Sequence, residues 1–497
     1  MRKKLFLKNG AVMAVSALII RSISMIFRVY LSESIGTEGI GLYQLILTVY
    51  AFFALICTSG LTITVTRLAG DMLAKEYPQK AIYITEKCLL FAITLSTTLG
   101  AIMYIFSDVL ALRFLHENRA SLPLKLLAPS LPFMSFSAVL RGYFSAGRKM
   151  IRTAVEQLLE QITEIGTCIF IFAFFVPKTT EQACCAAVIG TTSAEVISFL
   201  YSLALYIFDK YKLHKNSEKV PHLLKDALPI AIPCTASSGL RSGLSAIENI
   251  LIPAGLVKYG ANSSSALSEY GIINGMALPV IVFPSVLIIP FASLIITEMS
   301  QSAILKHKRS IKHMAQKMFI STLQYSIPVM IFFIFFAGDI GLTLYNNRKA
   351  GFYIAALSPV IPLMYLDSCV DGMLKGLNEQ TSYLICNVID SIIRVLMTYF
   401  LLPIFGTYGV IVVIIFSELL NTTLSIARLI KVTQIKINLY DSIFRPLLFT
   451  VIPCLLIKIM PESFPAFPTL LTKLTICIIF YVTMLFFSKK IIKFGSL

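Results

Sequence analysis

Arg21 and Arg28 lie inside one apolar run, AVMAVSALIIRSISMIFRVYL, residues 11–31. Seven residues are almost two helical turns, so both guanidiniums leave one helix face about 10 Å apart along the axis. A charge held within a membrane span costs at least about 2.5–3.5 kcal/mol, and it needs water, a counter-charge or a substrate. Snorkelling to the headgroups accounts for Arg28, near the far end, but poorly for Arg21, which is far from both ends. Other charges recur in apolar segments. Arg67 lies in the second, Arg141 near the end of the fourth, and Glu156, Glu160 and Glu164 every four residues in the fifth. Arg241 and Glu248 repeat the seven-residue spacing in the seventh, Asp367 and Asp371 lie in the tenth, and Asp390 and Arg394 stand four apart in the eleventh. The last two can pair on one helix, which is as compatible with a structural role as with binding. Arg141 and Glu156 also fit simple interfacial positions.

An exclusively acidic cavity would suit cations. Arginines in the first and seventh segments suit phosphate or carboxylate, which a guanidinium grips with two parallel hydrogen bonds. Since aliphatic and aromatic residues wall the rest of the path, the simplest guest is an anion with an apolar portion, such as a lipid-linked diphosphate. Enzyme motifs are missing: there is no H-E-x-x-H, no G-x-S-x-G and no P-loop. The ten cysteines form no metal-binding spacing and suggest no disulfide framework. The expectation is a non-enzyme with no metal and no resident cofactor, driven by membrane potential, an H⁺ or Na⁺ gradient, or consumption of its product.

The elements that must hold these charges are membrane helices. Hydrophobic residues make up 57% of the chain and charged ones only 14%, against about 25% charged in a soluble domain. Apolar stretches of span length run 8–31, 40–68, 81–106, 122–146, 153–176, 183–208, 227–253, 270–297, 318–345, 352–376, 382–405, 408–429, 447–460 and 470–488. That is an all-α polytopic membrane protein of about fourteen transmembrane helices. Lys and Arg concentrate in alternate loops: Arg2, Lys3 and Lys4; Lys75 and Lys80; Arg148, Lys149 and Arg152; Lys210 to Lys219; Lys306 to Lys312; Lys431, Lys436, Lys489 and Lys490. The bias places both termini in the cytoplasm. It also makes the +17 net charge a topology signal, with no nucleic-acid partner. The long Arg-interrupted first segment lacks an Ala-x-Ala site and reads as an uncleaved span.

An internal repeat organises the spans. LAPSLPFMSFSAVLRGYFSAG from Leu127 aligns without a gap on LSPVIPLMYLDSCVDGMLKGL from Leu357, matching Pro129 with Pro359, Pro132 with Pro362, Met134 with Met364 and Gly142 with Gly372. Glu160 then meets Asp390. A weaker echo sets IRSISMIFRVYL against LRSGLSAIENIL, so Arg21 meets Arg241 and Arg28 meets Glu248. Six spans per unit give two six-helix lobes in the same orientation, related by a pseudo-two-fold along the membrane normal, plus two C-terminal helices. The expected divisions are an N-lobe at 1–209, a cytoplasmic linker at 210–225, a C-lobe at 226–437 and an extension at 438–497. Paired prolines in the fourth and tenth spans, and Pro229, Pro233, Pro279, Pro284 and Pro290, predict bent helices. Arg28 and Glu248, near the outer ends of their helices, would make a gate if they paired.

IGTEGIGLYQLILTVYAFFALICTSGLTITVTRLAGD, with the arginine pair before it, resembles the start of the stage V sporulation protein B family, and LRGYFSAGRKMIRTAVEQLLEQI resembles its fourth and fifth spans. The resemblance runs over essentially the whole chain. It points to the multidrug/oligosaccharidyl-lipid/polysaccharide (MOP) superfamily, which includes the lipid II and polysaccharide flippases. It implies a two-lobed alternating-access flippase in the bacterial cell membrane, carrying undecaprenyl-diphosphate-linked sugars for peptidoglycan, spore cortex or another polysaccharide. The family's first-span arginines carry over to Arg21 and Arg28, and Arg241 and Arg67 join them as candidate substrate contacts. Glu248, Glu160, Glu164, Asp390 and Arg394 are the candidate gate or intramembrane polar residues. Related sequences often have a basic residue where this chain has Glu164. The alternatives are a cation-coupled multidrug exporter of the same superfamily and a non-transporting scaffold for cell-wall synthesis proteins.

Overall fold

The computed structural model describes residues 2–175, 177–212, 220, 223–435, 439–458, 470, 472–481 and 483–484. Every regular element among them is helical. Short turns aside, the first part of the chain forms α1 (Arg2–Ala74), α2 (Pro78–Ile105), α3 (Ser121–Leu127), α4 (Ser130–Ala146), α5 (Met150–Phe174), α6 (Thr180–Lys212), α7 (Leu223–Tyr259) and α8 (Ser263–Tyr270). The second part forms α9 (Ile289–Ile304), α10 (Lys308–Tyr345), α11 (Arg348–Leu357), α12 (Ile361–Gly376), α13 (Gln380–Phe405), α14 (Thr407–Thr433) and α15 (Arg445–Lys458).

Ten of the described helices are long and apolar enough to cross a membrane, and the bent pair Asn118–Leu127 and Ser130–Ala146 makes an eleventh. Gly36 breaks the first of the ten at φ 71°, a left-handed conformation that glycine adopts without a Cβ penalty. α7 is long enough but stays outside that set because Thr235, Ser237, Ser238, Arg241, Ser242, Ser245, Glu248 and Asn249 make it polar. With α7 and the short apolar helix Thr472–Tyr481, the architecture agrees with fourteen spans. The linker lysines Lys215 and Lys219, Lys436, and the terminal Lys489 and Lys490 lie outside the described residues.

The described helices overrun the apolar segments. α10, for example, starts ten residues before the stretch at 318–345, since a helix already nucleated by tertiary packing continues through good helix formers. The expected proline bend is present at Pro129, where the fourth span turns by 48°. The eighth span is irregular, passing through a π-turn at Gly271–Ala277 and a 3₁₀ turn at Phe283–Leu287. Pro279, Pro284 and Pro290 remove the amide donors that a continuous helix would need there.

The chain forms two compact units, 1–271 and 272–497. The six-plus-six division at 210–225 remains a proposal from the sequence repeat. In the first unit, α7 packs along α1. A Cβ on Gly41 would stand 2.0 Å from the Leu267 carbonyl oxygen, and one on Gly271 would stand 2.2 Å from that of Thr37. Gly41→Ala should therefore cost about 3 kcal/mol or more of stability. Gly166→Ala, where a Cβ meets open space, should be neutral or mildly stabilising. Thermal melting followed by size-exclusion chromatography in detergent separates the two, and equal melting temperatures would count against the crossing.

The repeat extends to the backbone. Left-handed residues stand at Glu76, His116 and Arg148 in the first unit and at Lys306, Asn346 and Asn378 in the second, each pair 230 apart. A close crossing repeats with the same offset. Gly142 lies against the Thr62 carbonyl, and Gly372 against the Ala292 carbonyl.

Candidate functional site

The fold gathers most of the intramembrane charge of the first unit around α5. Arg141 on α4 places Nη1 3.4 Å from Glu156 Oε1 and 3.3 Å from Glu160 Oε2 on α5. The Glu156 side chain is fully buried and that of Arg141 only 19% exposed, so the two face each other inside the helical packing. Ser198 on α6 donates to Glu156 Oε1 at 3.0 Å. One turn further along α5, Glu164 Oε1 accepts from Thr191 at 3.0 Å, and Gln161 donates to Glu164 Oε2 at 3.2 Å. Ser24 on α1 donates to Gln161.

Glu195 on α6 completes the cluster and was not among the residues singled out from sequence. It is 5% exposed and within electrostatic reach of Arg141, Glu156, Glu160 and Glu164. Its signal was present, because Thr191, Glu195, Ser198 and Ser202 recur at 4, 3 and 4 residues, a polar stripe on an otherwise apolar helix. Tyr50 was also missed; its hydroxyl accepts from Ser130 at 2.8 Å. Three carboxyls, those of Glu156, Glu160 and Glu195, thus lie within reach of Arg141, with Glu164 one turn further along α5.

One arginine of the first span lies beside this cluster. Arg28 is within electrostatic reach of both Glu164 and Tyr43, so the Gly36 break returns residues 37–74 alongside residues 15–35. On the other side, Gly239 faces Ile56 and Gly243 faces Phe52, which sets Arg241 level with residues 52–56. At 1.5 Å per residue, Arg21 is about 22 Å from Gly36 and Arg241 roughly 24–30 Å. Arg21 and Arg241, the two residues of the sequence echo, therefore stand at similar distances from the Gly36 break along helices of the same unit. Glu248 is buried at 8%, in the shallower layer that also holds Arg28. Arg67 is exposed on α1.

A second polar group joins the Gly36 break of α1 to α8. Arg119 bonds Glu38 at 2.7 Å and Glu117 at 3.0 Å. Ser264 donates to Glu38 at 2.6 Å, Ser268 to Thr37 at 2.6 Å, and Ser263 to Glu117. These bonds brace the Gly36 corner, where broken helical pairing leaves backbone groups to satisfy.

In the second unit, Asp390 on α13 accepts from Ser417 on α14 at 2.5 Å, with Arg394 in electrostatic reach. Asp367 on α12 accepts from Asn421 at 3.1 Å. Asp390 thus has a partner on a neighbouring helix as well as a potential one on its own.

Residues 6–296 match the family model described as polysaccharide biosynthesis protein. The chain is 25% identical over 454 residues to stage V sporulation protein B of Bacillus subtilis (strain 168), covering 89% of this chain and 86% of that protein. It is 23% identical to sporulation protein YkvU of the same organism, covering 87% and 97%. Among solved structures, the lipid II flippase MurJ in an inward closed conformation aligns with TM-score 0.74 at 14% identity, covering 96% of this chain and 99% of that one. An inward-facing multidrug resistance MATE family transporter of the MOP superfamily aligns with TM-score 0.67 at 14% identity, covering 85% and 99%. The fold is that of these multi-pass transporters.

Proposed function

We propose, from the premise that the chain belongs to the polysaccharide biosynthesis protein family, that it flips a lipid-linked sugar precursor between membrane leaflets by alternating access. The observation that supports this reading is that Arg21 on α1 and Arg241 on α7 stand at similar distances from the Gly36 break, on helices of one unit in an otherwise apolar protein. Two guanidiniums suit a diphosphate. The prenyl tail stays in lipid while the sugar occupies the polar path. The bias of lysine and arginine to alternate loops supports cytoplasmic termini, and transport from the inner to the outer leaflet is part of this reading. An inside-negative potential favours exporting two negative charges by roughly 4–5 kcal/mol per 100 mV. Undecaprenyl diphosphate bearing a peptidoglycan, cortex or other polysaccharide unit is the substrate class, and cell-wall synthesis proteins are the natural neighbours.

A second reading rests on a specific group. The carboxyls of Glu156, Glu160 and Glu195 around Arg141, with Glu164 one turn away, are suited to taking up H⁺ or Na⁺, either as the coupling ion for flipping or as the drive of a cation-coupled drug exporter.

The test uses purified full-length protein in liposomes carrying fluorescent undecaprenyl-diphosphate-linked muropeptide, with dithionite quenching as the readout and ethidium efflux in parallel. Flipping without efflux is the expected result, and efflux without flipping sinks the proposal. Neither activity, from protein shown to be folded, would favour the scaffold.

A further inference from the structure

Between α1 and α7, wholly inside the first unit, lies an open cavity of about 260 Å³. Gln44, Leu47, Thr48 and Ala51 line it from one helix, and Ser242, Ser245, Ala246 and Asn249 from the other. We propose that it receives the first sugar ring of the lipid-linked substrate; this rests on the reading that Arg21 and Arg241 hold the diphosphate.

The lining carries no charged side chain and therefore offers a metal ion no carboxylate. Five of its eight lining residues, Gln44, Thr48, Ser242, Ser245 and Asn249, carry polar side chains, against Leu47 and two alanines, which suits a sugar ring better than a prenyl tail. Amides and hydroxyls both donate and accept, which matches sugar hydroxyls and an N-acetyl group that do the same. Periodicity presents the set. Ser242, Ser245, Ala246 and Asn249 follow the spacing of one helix face, as do Gln44, Leu47, Thr48 and Ala51. Ala51 and Ala246 leave the space, while the buried Tyr270 hydroxyl donates to Asn249 Oδ1 at 3.1 Å and fixes that amide.

Position and size agree with one ring. Ser242 follows Arg241 in sequence, so one end of the cavity lies at the level of Arg241 along α7. From Ala51 to Gln44 it extends about 10 Å along the helix towards Gly36. Its volume falls just short of the roughly 300–1,000 Å³ of pockets for drug-sized ligands, enough for a monosaccharide and too little for an oligosaccharide. Sugars beyond the first would lie outside it.

Two probes test this on the full-length protein in nanodiscs: undecaprenyl diphosphate, and undecaprenyl diphosphate bearing a single N-acetylglucosamine. The wild type should bind the sugar-bearing probe about tenfold more tightly. Ala246→Leu, which fills the cavity, and Gln44→Met, which removes its amide, should each bring that ratio close to one and leave undecaprenyl diphosphate affinity unchanged. Melting temperatures check that both variants fold, and the milder Gln44→Met keeps the test open if the leucine disrupts packing. Equal wild-type affinity for the two probes, or a ratio that survives in folded variants, overturns the subsite alone. If neither probe binds the wild type, the diphosphate reading fails first and takes the subsite with it.

Discussion

Replacing Arg21 with alanine should slow flipping of a lipid-linked diphosphate by roughly 30-fold to several thousand-fold, with the protein still folded. Removing one partner of a desolvated, hydrogen-bonded charge pair costs about 2–5 kcal/mol, and each 1.4 kcal/mol is a factor of ten. The phosphate left behind has no water-like substitute in an apolar wall. Arg21→Lys should recover part of the loss, since it restores the charge but not the forked donor geometry. Arg67→Ala should change little, because Arg67 is exposed on α1. Dithionite quenching half-times measure all three, and a wild-type rate for Arg21→Ala would remove Arg21 from the site.

Arg141→Ala should destabilise the first unit by about 3–5 kcal/mol, because it leaves Glu156, with a fully buried side chain, and Glu160 without their shared guanidinium. The cost belongs to the stranded carboxyls more than to a lost attraction. The double variant Arg141→Met with Glu156→Gln should therefore recover most of the stability, an apolar side chain beside an amide being far cheaper to bury. Melting temperatures of the single and double variants form the measurement. No recovery in the double variant would show that Arg141 contributes through packing instead of charge.

Helical spans were legible because a membrane leaves an α-helical segment one way to satisfy its backbone, within itself, so apolar length alone reports them. The Pro129 bend was legible for the same local reason. Partners between helices were not. Arg141 lies near a helix end, and linear position says only that it has a route to the headgroups; its actual neighbours come from α5, fifteen and nineteen residues further on. Glu195 was overlooked because a single acid among the apolar residues of α6 stands out less than three at regular spacing on α5. The seventh span shows a different gap. Sequence similarity pairs it with the first span as a copy, whereas packing lays it along α1 in the same compact unit.

The constant 230-residue offset of the left-handed turns implies a strict limit on insertions. One residue added within a helix rotates everything after it by about 100°, sending a buried stripe out to lipid and a lipid-facing one inward. Side chains at equivalent positions have meanwhile changed sign, with Arg141 matched by Asp371 and Glu164 by Arg394. Across the two copies, chemistry has been free to diverge where helix length has not. A chimera that exchanges whole turn-to-turn segments between the copies, residue for residue, would preserve every rotation angle and alter only the charges.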